Sequence, residues 1–252
     1  MSNEGELAAD IFITQSRNGF LLSNNRFQDS KGTSVLLREG SYALTNNSFS
    51  SITSPTTTVL QIEANALVSL TGNQFSDSTV ARVVHFASNS FTASSPGLMA
   101  YNSFTNITGS GSGIGVKVEN SPNLVIQHNQ FNSISFASNE GREEGAGLYI
   151  DESSTGLAID GNSFAHCVAP IGGALSFKNG FLSLTNNLFS SNQASLYGPD
   201  VAAFPVALQM KHFNELPQIY RDEFPLRTSL PRTLSNIRSG GTIDGLYVVL
   251  LD

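Results

Sequence analysis

Leu124-Val125-Ile126-Gln127-His128-Asn129-Gln130-Phe131-Asn132-Ser133-Ile134 is the stretch that decides the fold. Leu124, Ile126, Phe131 and Ile134 are apolar, and between them stand polar or small residues. Alternation at a step of two is the mark of an extended strand with one buried face. A break between Ile126 and Phe131 carries Asn129, two residues before the phenylalanine. The same figure recurs along the chain. Asn-x-Phe stands at Asn25/Phe27, Asn47/Phe49, Asn73/Phe75, Asn102/Phe104, Asn129/Phe131, Asn162/Phe164 and Asn187/Phe189, the phenylalanines 22, 26, 29, 27, 33 and 25 residues apart. These fourteen residues are assigned a structural role, the phenylalanines pointing inward as a core column. A further match, Asn89/Phe91, falls out of step and is read as a chance occurrence within a loop.

The flanks repeat as well. Five residues before each Phe stands Leu22, Leu44, Leu70, Met99, Ile126, Ile159 or Leu184. Seven before stands Phe20, Tyr42, Val68, Gly97, Leu124, Leu157 or Leu182. Upstream of these lies a second apolar pair, Ile11/Ile13, Leu60/Ile62, Val84/Phe86, Val116/Val118, Leu148/Ile150 or Leu175/Phe177. In the second unit the register falls on Leu36, with Arg38 breaking the column, or one residue later on Leu37. Each unit thus supplies two strands and a short third segment.

One such unit cannot bury its inward side chains alone, but stacked units can. The expectation is an all-β chain, a right-handed parallel β-helix of about seven coils, with like residues piled over like. Residues 1–198 are assigned to the repeats. Residues 199–252 are assigned to a capping or connecting tail that leads into β strands, the start of a possible β-sandwich module. Within it, Asp200–Met210 reads as a strand interrupted by Pro205. Residues 214–232 read as a proline-rich connector, and 237–243 with 246–251 as two strands about a glycine turn. The Asn column is expected to hold the sharp bend, because Asn tolerates the left-handed region and its amide can join a ladder.

Composition fits this reading. Of 252 residues 13% are charged, about half the ordinary share, and Ser, Thr and Asn fill the gap. A net charge of −7 with nine Arg and four Lys scattered along the chain argues against nucleic acid, which needs a basic patch. No apolar run approaches the ~20 residues of a membrane span. The first residues are polar and acidic, unlike a secretory signal, and the chain stops inside what reads as a strand, so a segment of a larger protein is expected. Cys167 alone excludes an internal disulfide and a cysteine metal site; it reads as a small buried thiol. No cofactor is implied.

These repeats resemble the pectin-lyase-like right-handed β-helix superfamily. Gly172-Gly173-Ala174-Leu175 and Phe189-Ser190-Ser191-Asn192 match motifs of chlamydial polymorphic outer-membrane proteins, and Gly145-Ala146-Gly147-Leu148 is a degenerate form. Large β-helix surface proteins of ciliates and other protists look similar too. The resemblance spans about residues 7–198. It implies a surface location for some members and polysaccharide lyases or hydrolases for others. The Asn-Thr-Asp, Gly-His-Gly and Arg-Ile-Lys strings of the polygalacturonase-like members do not occur here.

Three places carry candidate chemistry. Asp160 and His128 stand diagonally on successive coils and form a weak acid/base candidate. Arg142-Glu143-Glu144 with Asp151 and Glu152 lies in the longest unit, as a loop tip. Phe12, Leu37, Gln61, His85, Lys117, Tyr149 and Ser176 form an outward column, of which Tyr149, Lys117 and His85 are the candidate binding strip, suited to stacking and hydrogen bonding a sugar. Asn46 and Asn106 head glycosylation sequons. The leading expectation is a non-enzymatic extracellular or cell-surface scaffold, adhesin-like, with carbohydrate or another surface protein as partner. The alternative is a polysaccharide-binding or polysaccharide-cleaving β-helix. Ice binding through a Ser/Thr face is a minor third option, spoiled by Leu98, Gln127 and Asp160.

Overall fold

The computed structural model describes residues 9–137, 141–178, 182–203, 207–211 and 247–251. The chain divides into two units, Met1–Phe204 and Pro205–Asp252. In the second, Ala207–Lys211 pairs antiparallel with Tyr247–Leu251. The connector expected at 214–232 and the strand expected at 237–243 lie outside the described residues.

The first unit is a parallel β-solenoid of about seven turns. Three columns of strands run through it. In the first sheet Val84–Phe86 pairs with Leu60–Ile62 on one side and Val116–Val118 on the other. The column continues through Leu148–Ile150 and Leu175–Phe177 to Val201–Ala203. In the second sheet Leu124–Gln127 lies between Gly97–Ala100 and Ala158–Asp160. The third carries the phenylalanines, each Phe in register with the next.

The corner between second and third sheets is fixed by the Asn column. The backbone N–H of Asn102 donates to Asn129 Oδ1 at 2.9 Å, and its side-chain NH2 donates to the same oxygen at 2.9 Å. The other amide hydrogen reaches back to Leu70 O at 3.0 Å. The pattern runs from Asn25 through Asn47, Asn73, Asn102, Asn129 and Asn162 to Asn187. From Asn47 to Asn162 these side chains are buried, so the ladder satisfies polar atoms that would otherwise cost ~1–3 kcal/mol each.

Beside the ladder the rings stack nearly parallel, at centroid distances of 4.6, 4.9, 4.8, 4.8, 4.6 and 5.3 Å. The column is not uniform along its length, as the repeat alone had implied. Phe49, Phe75, Phe104, Phe131 and Phe164 are fully enclosed in the core. Phe27 and Phe189 are only partly buried and pack against that core from its two ends. An inner ring is covered by a ring on each side, whereas a ring at the end of the stack has one such neighbour. The five inner rings have no outward surface, so their role is confined to packing and none of them can touch a ligand.

The backbone reason given for the Asn column needs correction. The ladder asparagines do not have positive φ. The residue before each does: Asn24, Asn46, Gly72, Tyr101, His128, Gly161 and Asn186. A second left-handed column stands two residues after each Phe, at Asp29, Ser51, Asp77, Asn106, Ser133, His166 and Ser191. The short phenylalanine strand is therefore bracketed by two left-handed turns, and the Asn between them is chosen for its hydrogen bonds.

Two further readings are revised. In the second repeat of the solenoid the inward pair is Val35/Leu37, in register with Leu60/Ile62, and Leu36 faces outward over Gln61. The outward column therefore contains Leu36, and Leu37 belongs to the core. Nor is Asn89/Phe91 incidental. Phe91 is 4% exposed and sits edge-on to Phe86. A Cβ on Gly97 would come within 2.6 Å of the Phe91 ring, so this ring fills the place that Gly97 leaves empty in the inward column. Asn89 heads a second, shorter ladder: its N–H and side-chain amide donate to Ser121 Oγ, and the Ser121 N–H donates to Ser154 Oγ at 3.0 Å.

Phe131→Ala should lower stability by ~3–5 kcal/mol, the cost of a large cavity. Ser133→Ala, at an outer corner, should stay within ~0.5 kcal/mol; equal denaturation midpoints would refute the register. Gly97→Ala should cost ~1–3 kcal/mol through overpacking against Phe91. Combining Phe91→Ala with Gly97→Val should cost at least ~1 kcal/mol less than the sum of the single changes, read from urea unfolding of the four proteins.

Candidate functional site

The outward positions of the first sheet bring the predicted strip onto adjoining rungs. Lys117 is in register with His85 on one side and Tyr149 on the other. Gln61 and Ser176 extend the column at its two ends. Because outward residues recur every second position, the column two residues on is outward too. It adds Arg38, Glu63, Glu119, Asp151 and Lys178. This second column was legible in the same alternation and escaped the sequence reading. Arg82 gave no such signal, since it stands two residues before Val84, at a position whose parity is that of the inward side chains.

Together these groups form a polar chain across the coils. Arg38 pairs with Glu63, which accepts from Gln61 Nε2 at 3.3 Å. Gln61 Oε1 lies 3.2 Å from His85 Nδ1, and His85 Nε2 lies 3.0 Å from Glu119 Oε2. Lys117 Nζ reaches the same carboxylate oxygen at 2.9 Å. Farther along, Ser176 Oγ donates to Glu144 Oε2 at 3.1 Å, and Lys178 Nζ is 3.7 Å from Glu144 Oε1. Lys178 also lies over the Tyr149 ring, 5.6 Å from its centroid, and bonds the phenol.

The strip is less open than expected. His85 and Tyr149 are each 8% exposed. Exposed aromatic stacking by Tyr149 is therefore ruled out as the structure stands. Its cover comes from Lys178 and from the acidic loop, where Glu144 is itself buried and turned onto the sheet. The segment expected as a loop tip thus divides: Arg142 is exposed, whereas Glu144 belongs to the strip.

Burial sets the electrostatics. It pushes the His85 imidazole down to about 4, helped by the Arg82 and Lys117 charges and opposed by the bond to Glu119. The same burial weakens the hold of Arg82 on its proton, against the attraction of Glu119, and Arg82 Nε has no hydrogen-bond partner among the described residues. Burial raises Glu119, but its hydrogen bond and charge contact with Lys117 win, and the carboxyl ends below its ordinary value.

The other candidate does not assemble. Asp160 Oδ1 accepts from Thr185 Oγ1 at 2.6 Å and from Asn186 Nδ2 at 2.8 Å, and these bonds hold its carboxyl below the ordinary range. The His128 ring instead stacks on Tyr101, with centroids 5.1 Å apart. The link between His128 and Asp160 is a backbone hydrogen bond of 3.0 Å together with a weak charge contact. Cys167 is buried and its thiol is pushed up to about 12 by that burial, which fits the inert reading. Asn46 and Asn106 are both exposed on left-handed corners. Among the described residues, no group of three or more His, Cys, Asp or Glu side chains is placed to hold a metal. No helix among them is long and apolar enough to cross a membrane.

The family described as right handed beta helix region matches residues 9–202. The chain belongs to that family. This match and the parallel solenoid together support the pectin-lyase-like β-helix superfamily. No curated protein and no solved structure matches the chain. In this β-helix the described strip occupies the outer face of one sheet, carried by a core that is continuous beneath it.

His85 makes the strip sensitive to acid. The unfolded imidazole takes a proton near pH 6.5 and the folded one only near 4. Acid therefore favours the unfolded chain across that window, by up to ~3 kcal/mol. Urea unfolding at pH 7 and pH 4.5 should show this loss, and His85→Gln should flatten the slope between those two pH values.

Proposed function

We propose that this β-helix is a non-enzymatic scaffold of an extracellular or cell-surface protein, and that it binds carbohydrate through the strip around Lys117. One observation carries the reading. Lys117 stands between His85 and Tyr149 on successive rungs, so donors and acceptors recur at the strand spacing along a rigid face. A chain of repeating sugar hydroxyls matches such a row by sharing its polar partners rung by rung. The Asp160 carboxylate is engaged by Thr185 and Asn186, which argues against its use as a general acid or base. The Gly-Gly-Ala-Leu and Phe-Ser-Ser-Asn matches favour a surface protein of the kind seen in chlamydial β-helices.

A polysaccharide-cleaving reading rests on one different observation. The neutral imidazole of His85, beside the Lys117 ammonium and the Glu119 carboxylate, offers a base and a cation within one patch. A panel of polysaccharides scored for both binding and cleavage separates the two. The scaffold reading expects retention without new chain ends, weakened by Lys117→Ala. Turnover that disappears in Asp160→Asn or His85→Gln would overturn it.

A further inference from the structure

The second sheet turns a surface of different chemistry outward. Leu21, Ala43, Ser69, Leu98 and Val125 succeed one another on five coils. They floor an open groove of about 740 Å³, and Ser95 and Pro96 of the loop that carries Phe91 also line it. No lining residue among those described is charged. Leu21 is 64% exposed, a large apolar side chain left without cover.

At the corner of the coils that carry Leu98 and Val125 stand Tyr101 and His128. Tyr101 is 61% exposed, and its ring lies 5.1 Å from the His128 ring with a 21° tilt. Both residues have positive φ. The pair has room because glycine flanks it in the column: a Cβ on Gly161 would fall 2.5 Å from His128 Nδ1. Tyr101 follows Leu98 by three residues, about 10 Å along an extended chain. An apolar floor with hydroxyls at Ser69 and Ser95 thus lies on one face, and the exposed Tyr101 ring stands at the sheet's corner beyond the groove, within the span of an oligosaccharide.

We propose that this face is a second ligand site, separate from the Lys117 strip, and that it takes a neutral hexopyranose chain. The sugar's C–H faces pack on Leu98, Val125 and the Tyr101 ring, and its hydroxyls bond Ser69 and Ser95. Charge argues for neutrality. Asp160 is the one charged outward residue of this sheet among those described, and no described lining residue is a cation that could receive an acidic sugar. A hexuronate would be repelled, whereas the Lys117 strip offers it cations.

The test is calorimetric titration of the chain with cellohexaose and mannohexaose, with hexagalacturonate as charged control. Binding of a neutral hexasaccharide is expected, weakened about tenfold in Tyr101→Asn. That variant keeps the fold, because Asn24 and Asn46 hold the same left-handed position on other coils, so its unfolding midpoint should not move. Tyr101→Asn should leave any uptake of hexagalacturonate unchanged, which keeps this site distinguishable from the strip. The proposal fails if neither neutral sugar gives heat, or if Tyr101→Asn and Leu98→Ser bind as the parent does. It fails too if only Lys117→Ala loses affinity, or if sedimentation shows a self-associated chain that Leu21→Ser dissociates.

Discussion

The buried Asn ladder is the constraint on which the rest of the molecule depends. An amide with no access to water must find partners, and here each finds them on the coils above and below. A slip of one residue would strand several donors at once and turn every inward side chain outward. The ladder therefore fixes register more sharply than the apolar columns do, since Leu, Ile, Val and Met interchange in those columns at modest cost. The ring stack follows from it. Two residues past the ladder the side chain points inward, and a repeat set by strand spacing brings ring upon ring at 4.6–5.3 Å.

Fixed geometry at that corner forces variation elsewhere. The units differ by up to eleven residues in length, yet Asn and Phe keep their spacing throughout. The surplus leaves at other corners. Small shifts in pairing absorb it between Ser16 and Phe20, between Arg38 and Gly40, and between Ser54 and Thr58. Larger surpluses become loops. One of them returns Phe91 to the core and sets Ser95 and Pro96 beside the second-sheet groove. Another lays Glu144 across Ser176 on the first sheet. What distinguishes the faces is thus supplied by the irregular parts of the chain, positioned by its regular part.

This division explains what the sequence disclosed. The columns were legible because identity and spacing recur together, as in Asn129/Phe131 and its six counterparts. Identity does not say where a column ends, so the partial exposure of Phe27 and Phe189 could not be told from the enclosure of Phe49, Phe75, Phe104 and Phe164. The Val35-Leu36-Leu37 run was ambiguous because three apolar residues in succession erase the alternation that assigns faces. The partnership of Phe91 and Gly97 is a complementarity of volumes between a loop and a strand, and no period announces it. A gap in an otherwise bulky column, at Gly97, was its one visible trace. The burial of Tyr149 also escaped, because Lys178 and Glu144 cover it from other segments. For the left-handed corner, the glycines at 72 and 161 among Asn24, Asn46 and Asn186 carried the signal, one position ahead of the column that drew attention.

The two outer faces set different terms for any ligand. On the first sheet the charges already have partners: Arg38 with Glu63, Lys117 with Glu119, Lys178 with Glu144. A ligand there gains a contact only by displacing or sharing one of these, so binding is an exchange of polar partners whose net yield is small per bond. Buried positions such as His85 raise the stakes, because an exchanged partner left dry costs more than one returned to water. On the second sheet the floor is apolar and uncharged, and covering it releases water without breaking an ion pair. The first face thus suits recognition by the pattern of donors and acceptors, and the second suits adhesion by area and ring contact. One rigid core presents both, because the ladder holds each sheet in register whatever its outward side chains are.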